Sequence, residues 1–328
     1  MAHTVISDVI VPEVYNPYMI QKSIELNKFI ASGIATQDPD LQFPNMNRKV
    51  KGGKTVHVPF WKSLVDADNA DDEVMSDSSL PEINNIEAGE SVAAINTRVK
   101  VWGANDLAGY FAGSDPMLAI ADMNGAYWAN RKQKVLISEL EGITNKTTGA
   151  LKDHVLDISG ETGDAAVLSS EAMIDAMYLM GDHVSELGGI AVNSATMAKL
   201  VKLNLIDTVR DADSPVEYSF YMGKPVIVDD AIKATSGAHP IYFFGRGAVS
   251  FNEDTDGIPV TETDRDKVGG NDILISRSIF VMHPRGLSWV GTAAGTTPTN
   301  AELATAANWA LADNAKNVPI TKLVAKLA

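Results

Sequence analysis

Hydrophobic and polar positions divide the chain into tracts of different period. Val9–Glu13 is extended in character, because Ile10 and Val11 suit a strand and Pro12 disfavours helix just before it. After Pro17 the spacing predicts a helix over Tyr18–Ser32. Ile20, Ile24, Phe29 and Ile30 fall roughly on one stripe, and Gly33 is its natural stop. Thr55–Trp61 alternates as a strand, which Pro59 confines to a sheet edge. Val92–Val101 alternates again as a returning strand. Leu64–Thr97 carries nine Asp or Glu and no Lys or Arg. Two strands flanking a polar acidic tip describe an extended hairpin. Such a hairpin has no core of its own and needs another surface to lie on.

Ser114-Asp115-Pro116 combines a capping residue with proline in the first turn, so a helix starts there and runs to about Gly142. Its apolar stripe is Leu118, Ala121, Gly125, Trp128, Val135, Leu136 and Leu140. At 1.5 Å per residue it is about 40 Å long. Residues 150–166 are polar and loop-like. Ser169-Ser170-Glu171 caps a helix to about Leu187, with Met173, Met177, Met180, Val184 and Leu187 at helical spacing. A methionine stripe of that kind is core filler. A short strand, Ile190–Asn193, leads to a helix from Ser194 with Met197, Leu200, Val201 and Leu203. Residues 204–222 are polar and loop-like, and Gly223–Asp229 turns into another strand. Residues 169–230 therefore form an α/β unit with helices packed on a small sheet.

Ile241–Phe244 and Ala248–Phe251 are strands around Gly245-Arg246-Gly247. Ile258–Glu262 alternates, Asp264-Arg265-Asp266 is a charged segment, and Gly269-Gly270 breaks the chain before a long strand over Asp272–Met282. Thr292–Asn300 reads as linker. Residues 301–313 read as helix, with Leu303, Ala307, Ala310 and Leu311 on one side, and residues 318–327 as a short apolar tail.

Composition narrows the chemistry. The 328 residues carry 42 acidic and 27 basic side chains, a formal charge of -15 that argues against a dedicated nucleic-acid reader. Cysteine is absent, which removes disulfides, thiolate metal sites and any cysteine nucleophile. No apolar run approaches the ~20 residues that span a bilayer, and no secretory signal is visible. His3, His57, His154, His183, His239 and His283 form no close metal-ligand cluster. Gly53-Lys54-Thr55 ends like a phosphate-binding loop, but Arg48 stands where the leading glycine belongs and a strand follows. Gly245-Arg246-Gly247 lacks the third glycine of a dinucleotide fingerprint, since Ser250 occupies it. The acidic run lacks calcium-loop spacing. No catalytic, cofactor-binding or metal-binding residue is assigned, and no cofactor is expected. The densest basic cluster, Arg48–Lys54, holds four charges in seven residues. It is either a solvated turn or a contact with an acidic neighbour.

The order of these parts resembles the major capsid proteins of tailed bacteriophages, the Hong Kong 97 fold family. Four phrases carry the resemblance: Gly189–Leu200 (GIAVNSATMAKL), Met222–Asp229 (MGKPVIVD), Ile241–Ala248 (IYFFGRGA) with the Glu262–Arg277 region, and Asn308-Trp309 with Val318-Pro319-Ile320. The resemblance implies an α+β fold. Residues 1–50 would be an N-terminal arm, 51–104 an extended loop (the E-loop), and 105–168 a peripheral domain with a spine helix. Residues 169–240 would form an α/β axial domain. Residues 241–328 would supply return strands for both domains, and the C-terminal tail.

It implies a structural subunit, not an enzyme, that assembles with itself as hexamers and pentamers of an icosahedral virion shell around double-stranded DNA. Portal protein, a separate scaffolding protein and a decoration protein are the implied partners, with weak DNA contact, no membrane, and assembly in the host cytoplasm. Some family members crosslink a loop lysine; Lys54 and Lys62 lie in that region, but no such bond is assigned. An encapsulin-type compartment shell shares the fold and is one alternative. A soluble α/β enzyme using scattered carboxylates is another, from a different class.

Overall fold

The computed structural model describes Met19, residues 27–38, Leu41, and residues 53–62, 85–112, 116–210, 217–254 and 260–328. Val9–Glu13, Ser114-Asp115, the basic residues 48–51 and most of the acidic run, 66–82, lie outside them.

A five-stranded sheet contains β1 (Ala35–Gln37), β4 (Asn96–Asn105), β11 (Val249–Asp254), β12 (Thr261–Asp266) and β13 (Asn271–Pro284). β13 is its centre. β4 runs antiparallel along one edge, from Asn271 to Phe280, while β12 and β11 follow one another along the other. A second sheet runs in the order β5 (Val155–Asp157), β16 (Ile320–Lys326), β10 (Ala238–Gly245), β6 (Leu187–Val192), β9 (Lys224–Val228), β8 (Glu217–Tyr221), β7 (Asp207–Arg210). Two further pairs are β2 (Thr55–Trp61) with β3 (Ala88–Ala94), and β14 (Leu287–Trp289) with β15 (Trp309–Leu311). The α-helices with bounds inside the described residues are α1 (Lys28–Ala31), α2 (Asp106–Ala112), α3 (Pro116–Ile143), α4 (Ser170–Tyr178), α5 (Ser194–Lys202) and α6 (Asn300–Leu303).

β10 explains why Ile241–Phe244 is apolar at every position. Side chains alternate between the two faces of a strand, and here both faces are covered. Tyr242 and Phe244 enter one core with Leu136, Leu140 and Ile143 of α3 and Phe280 of β13. Ile241 and Phe243 enter the other, with Met173 and Met177 of α4, Leu200 of α5 and Leu323 of β16. The methionine stripe is core filler, as its spacing implies.

The long helix matches its expected span, but its stripe is shifted at the start. Met117 is buried and Leu118 is 52% exposed. Gly142 lies inside α3, where the end of α6 and the segment after it cross it. A Cβ there would stand 2.4 Å from Leu303 O and 3.0 Å from Trp309 Nε1. Alanine normally gains about 1 kcal/mol over glycine in a helix. Backbone overlap reverses that sign, and Gly142→Ala is expected to cost about 1–3 kcal/mol as the segment is pushed away. Thermal unfolding of the variant checks this; a raised melting temperature would refute the close approach.

Several expectations need correction. The helix expected over Tyr18–Ser32 is not continuous. Asn27 is extended, and its side chain accepts from Phe29 N and Ile30 N to cap α1. Residues 150–166 contain β5, held parallel to β16. The helix from Ser169 stops at Tyr178, because Gly181 has φ +60 and a 3-10 turn, Gly181–Glu186, follows. Residues 204–222 contain β7 and β8. The Met222-Gly223 turn, with φ 47 and 75, joins β8 to β9 as a two-residue hairpin.

Of the strand expected over Ile258–Glu262, residues 258–259 lie outside the described residues; β12 continues through the charged segment, where Arg265 is held between Asp106 and Asp272. Residues 301–313 are not one helix. α6 is four residues long, closed by a Thr299/Glu302 capping box, and Trp309–Leu311 pairs with β14. The expected apolar tail is β16, an interior strand of the seven-stranded sheet.

Candidate functional site

Three features stand out: the β2–β3 hairpin, the polar groups on the buried face of α3, and the exposed apolar side chains. The hairpin pairs antiparallel from Thr55↔Ala94 to Trp61↔Ala88. Its base rests on its own chain. Val56, Ala93 and Ile95 pack with Leu41 and Val281. Ser91 Oγ donates to Leu287 O at 2.7 Å, Val92 N to Ser288 Oγ at 3.2 Å, and Ser288 Oγ to Glu90 O at 3.2 Å. Lys54 Nζ donates to Gly295 O at 3.0 Å. Outward from the base the strands lose cover, and Trp61 is 69% exposed. Cross-strand pairs, His57 with Glu90 at 2.5 Å and Lys62 with Glu87 at 2.7 Å, hold the register there. The Lys62 ammonium pulls the Glu87 carboxyl below its ordinary range.

Beneath the hairpin base lies His283. Leu287 O can only accept, so the 2.8 Å contact from Nε2 puts the proton on Nε2. Nδ1 is left bare, with no hydrogen-bond partner. The ring stacks on Trp309 at 6.1 Å, and burial pushes its pKa down to about 4.

The buried face of α3 carries polar groups that periodicity does not reveal. Asn124 Nδ2 and Trp128 Nε1 both donate to Ser276 Oγ of β13, at 2.9 and 2.8 Å. Lys132 Nζ pairs with Glu253 Oε2 of β11 at 2.6 Å and lies near the rings of Phe251 and Phe280. Burial lowers the Lys132 pKa, while Glu253 opposes that shift. Glu139 faces Arg98 of β4. Burial raises the Glu139 carboxyl well above its ordinary value, and the Arg98 charge opposes it. These groups set one helix across three strands, β4, β11 and β13, and none faces a common reaction centre with the others.

The histidines stand apart, apart from His3, which lies outside the described residues. His154 bonds Ile320 O, His183 bonds Glu186, and His239 bonds Asn193. No group of three or more His, Asp or Glu among the described residues could hold a metal ion. A cleft of about 510 Å³ is lined by Glu141, Lys146, Asp157, Lys233, Tyr242 and Lys322, among others. Burial raises Glu141 and lowers Lys322. Its lining contains no histidine. Lys54-Thr55 opens β2 and not a helix, and Gly245–Gly247 is a tight turn between β10 and β11. No described helix is long and apolar enough to cross a membrane.

The exposed apolar residues cluster by place. Val99 and Val101 lie on the open face of β4; Leu107, Tyr110 and Phe111 on α2; Leu118 and Met123 early on α3; Val268 in the β12–β13 turn. Sequence reasoning missed α2 altogether, though Leu107, Tyr110 and Phe111 have helical spacing.

Both the fold and the sequence resemble those of known proteins. The fold is similar to the capsid of Cyanophage Pam1, with a TM-score of 0.56 and 12% identity over 93% of each chain. It is also similar to the capsid of a native GTA particle, with a TM-score of 0.50 and 13% identity over 84% of this chain and 86% of that one. In sequence, the chain is 41% identical to the major capsid protein of Bacillus phage SPP1, over 100% of this chain and 99% of the relative. Residues 122–319 match the Gp13-like family, described as major capsid protein 13-like. The family is structural and not enzymatic, and neither the compartment-shell nor the enzyme reading gains support from it. The chain belongs to the Gp13-like family of phage major capsid proteins.

Proposed function

We propose that this chain is the subunit that closes, as hexamers and pentamers, into an icosahedral virion shell around a double-stranded DNA genome. The reading rests on its full-length identity to a phage major capsid protein. Its hairpin, braced at the base and uncovered beyond it, suits a limb that completes its contacts on a neighbour. Residues 1–50 act as the N-terminal arm, 51–104 as the extended loop, 105–168 as the peripheral domain, 169–240 as the axial domain, and 241–328 complete both. A portal protein, a separate scaffolding protein and a decoration protein join the shell, which is assembled in the host cytoplasm. DNA contact is weak, in keeping with the charge of -15.

Electron microscopy of the purified protein is the test. Closed shells are expected; a persistent monomer or small oligomer overturns the reading. The basic cluster 48–54 and the acidic run 66–90 are complementary in charge and serve as partners between subunits. Reversing Lys49, Lys51 and Lys54 to glutamate is expected to cut shell yield by roughly tenfold while leaving the subunit's unfolding curve nearly in place. Shells in undiminished yield would rule that pairing out.

A further inference from the structure

The end of the five-stranded sheet where β4 and β12 finish and β13 begins carries side chains that the fold itself does not use. Leu107 is 64% exposed, Tyr110 79%, Phe111 81% and Val268 100%. α2 and the β12–β13 turn are joined at this end. Asp106 N donates to Gly270 O, and Asn105 Nδ2 donates to Gly269 O at 2.9 Å and to Asn271 Oδ1 at 2.8 Å. Most of its charges are tied within the same chain, while Lys267 stands exposed beside Val268. Arg265 holds Asp106 at 2.6 Å and Asp272 at 2.9 Å, and Asp266 Oδ1 accepts from Val268 N at 3.0 Å. What remains to face outward is largely apolar.

We propose that this tip, Leu107, Tyr110, Phe111 and Val268, is a contact between copies of this chain. The proposal deepens the shell reading and rests on it. The size of the patch selects the occupant. Two largely exposed aromatic rings with a leucine and a valine offer roughly 500 Å² of apolar surface. A stable two-body complex needs about 800 Å² from each partner. A separate protein held here alone would fall off. A second copy in a shell would not, because every subunit repeats the contact and many weak contacts act together. The same weakness keeps free subunits apart before assembly.

The chain has no cysteine, so Phe111→Cys and Val268→Cys each introduce a unique thiol. Maleimide labelling is followed on free subunits and on purified particles. Labelling is expected to be slower in particles by roughly tenfold or more, since interface cores exclude solvent. A Phe111→Cys subunit that folds but fails to assemble, beside a wild type that does, also supports the contact, and Val268→Cys then gives the labelling rate. Equal rates in subunits and particles overturn the proposal and leave the shell reading standing. Protection that vanishes when a different polypeptide is stripped from intact particles overturns it as well. If the wild-type chain forms no particles, the shell reading fails, and the tip contact fails with it.

Discussion

Lys132→Met is expected to destabilise the subunit by about 3–5 kcal/mol, the usual cost of removing one partner of a buried ion pair. Lys132 is fully shielded from solvent and Glu253 nearly so, with side-chain exposures of 0% and 8%. Without the ammonium, Glu253 keeps the Ser278 hydroxyl at 3.1 Å, which cannot neutralise a buried carboxylate. The double variant Lys132→Met/Glu253→Met is expected to recover most of the loss, because apolar pairs of similar volume replace buried ion pairs at little cost. Urea unfolding of both variants decides the matter. A single variant as stable as wild type, or a double variant no better than the single, would show that the pair does not tie α3 to β11 as its geometry indicates.

Acidification acts on a different joint. In the unfolded chain His283 takes up a proton below about 6.5. In the folded chain it does so only below about 4. Between those values the unfolded state binds more protons. Stability is therefore full above about 6.5, falls as the pH drops through the window, and levels off below about 4. The loss is about 3 kcal/mol for a shift of this size at a fully buried ring. No charged group contributes to the shift, so salt should alter it little. Glu139 shifts in the opposite sense, and its buried neutral form gains stability as the pH falls. Wild type is therefore compared with His283→Gln, which keeps a donor but cannot titrate. The difference between their unfolding free energies should narrow by about 3 kcal/mol from pH 7 to pH 4. Parallel curves would mean that the ring is not held neutral. Because the same ring lies 3.0 Å from Ser91 Oγ, the hairpin base is expected to loosen first, seen as faster amide exchange at Ser91 and Val92.

Much of the architecture was legible because its signals are local. The capping residue, the proline after it and the apolar stripe placed α3 almost to the residue, alternation placed β2, and the apolar runs beside Gly245-Arg246-Gly247 and after Gly269-Gly270 placed β10 and β13. The absence of any reaction motif agreed with the structural family. What was not legible depends on distant partners. Nothing in the sequence marks Lys132 and Glu139 as buried, since a helix stripe reads charged residues as surface and their cover comes from β4, β11 and β13. Trp309 lies in a helical-looking window, yet pairing with Trp289 and contact with Gly142 make it a strand residue, a tertiary override of propensity. β7 and β8 were hidden by polar composition. Their clue was the Met222-Gly223 turn, a two-residue hairpin signal ahead of an apolar strand. The α2 residues escaped notice because a seven-residue segment offers too few positions to mark a period.

β10 sends Tyr242 and Phe244 into one core and Ile241 and Phe243 into the other. Neither core can therefore loosen without disturbing the strand that walls its neighbour. A load applied to one core passes to the other through this strand and through its neighbours β6 and β16, which also send side chains into both. The part of the subunit built on these two cores is therefore expected to tilt as a stiff tile, which leaves a change in the curvature of an array of these subunits to the seams and to the hairpin beyond its base.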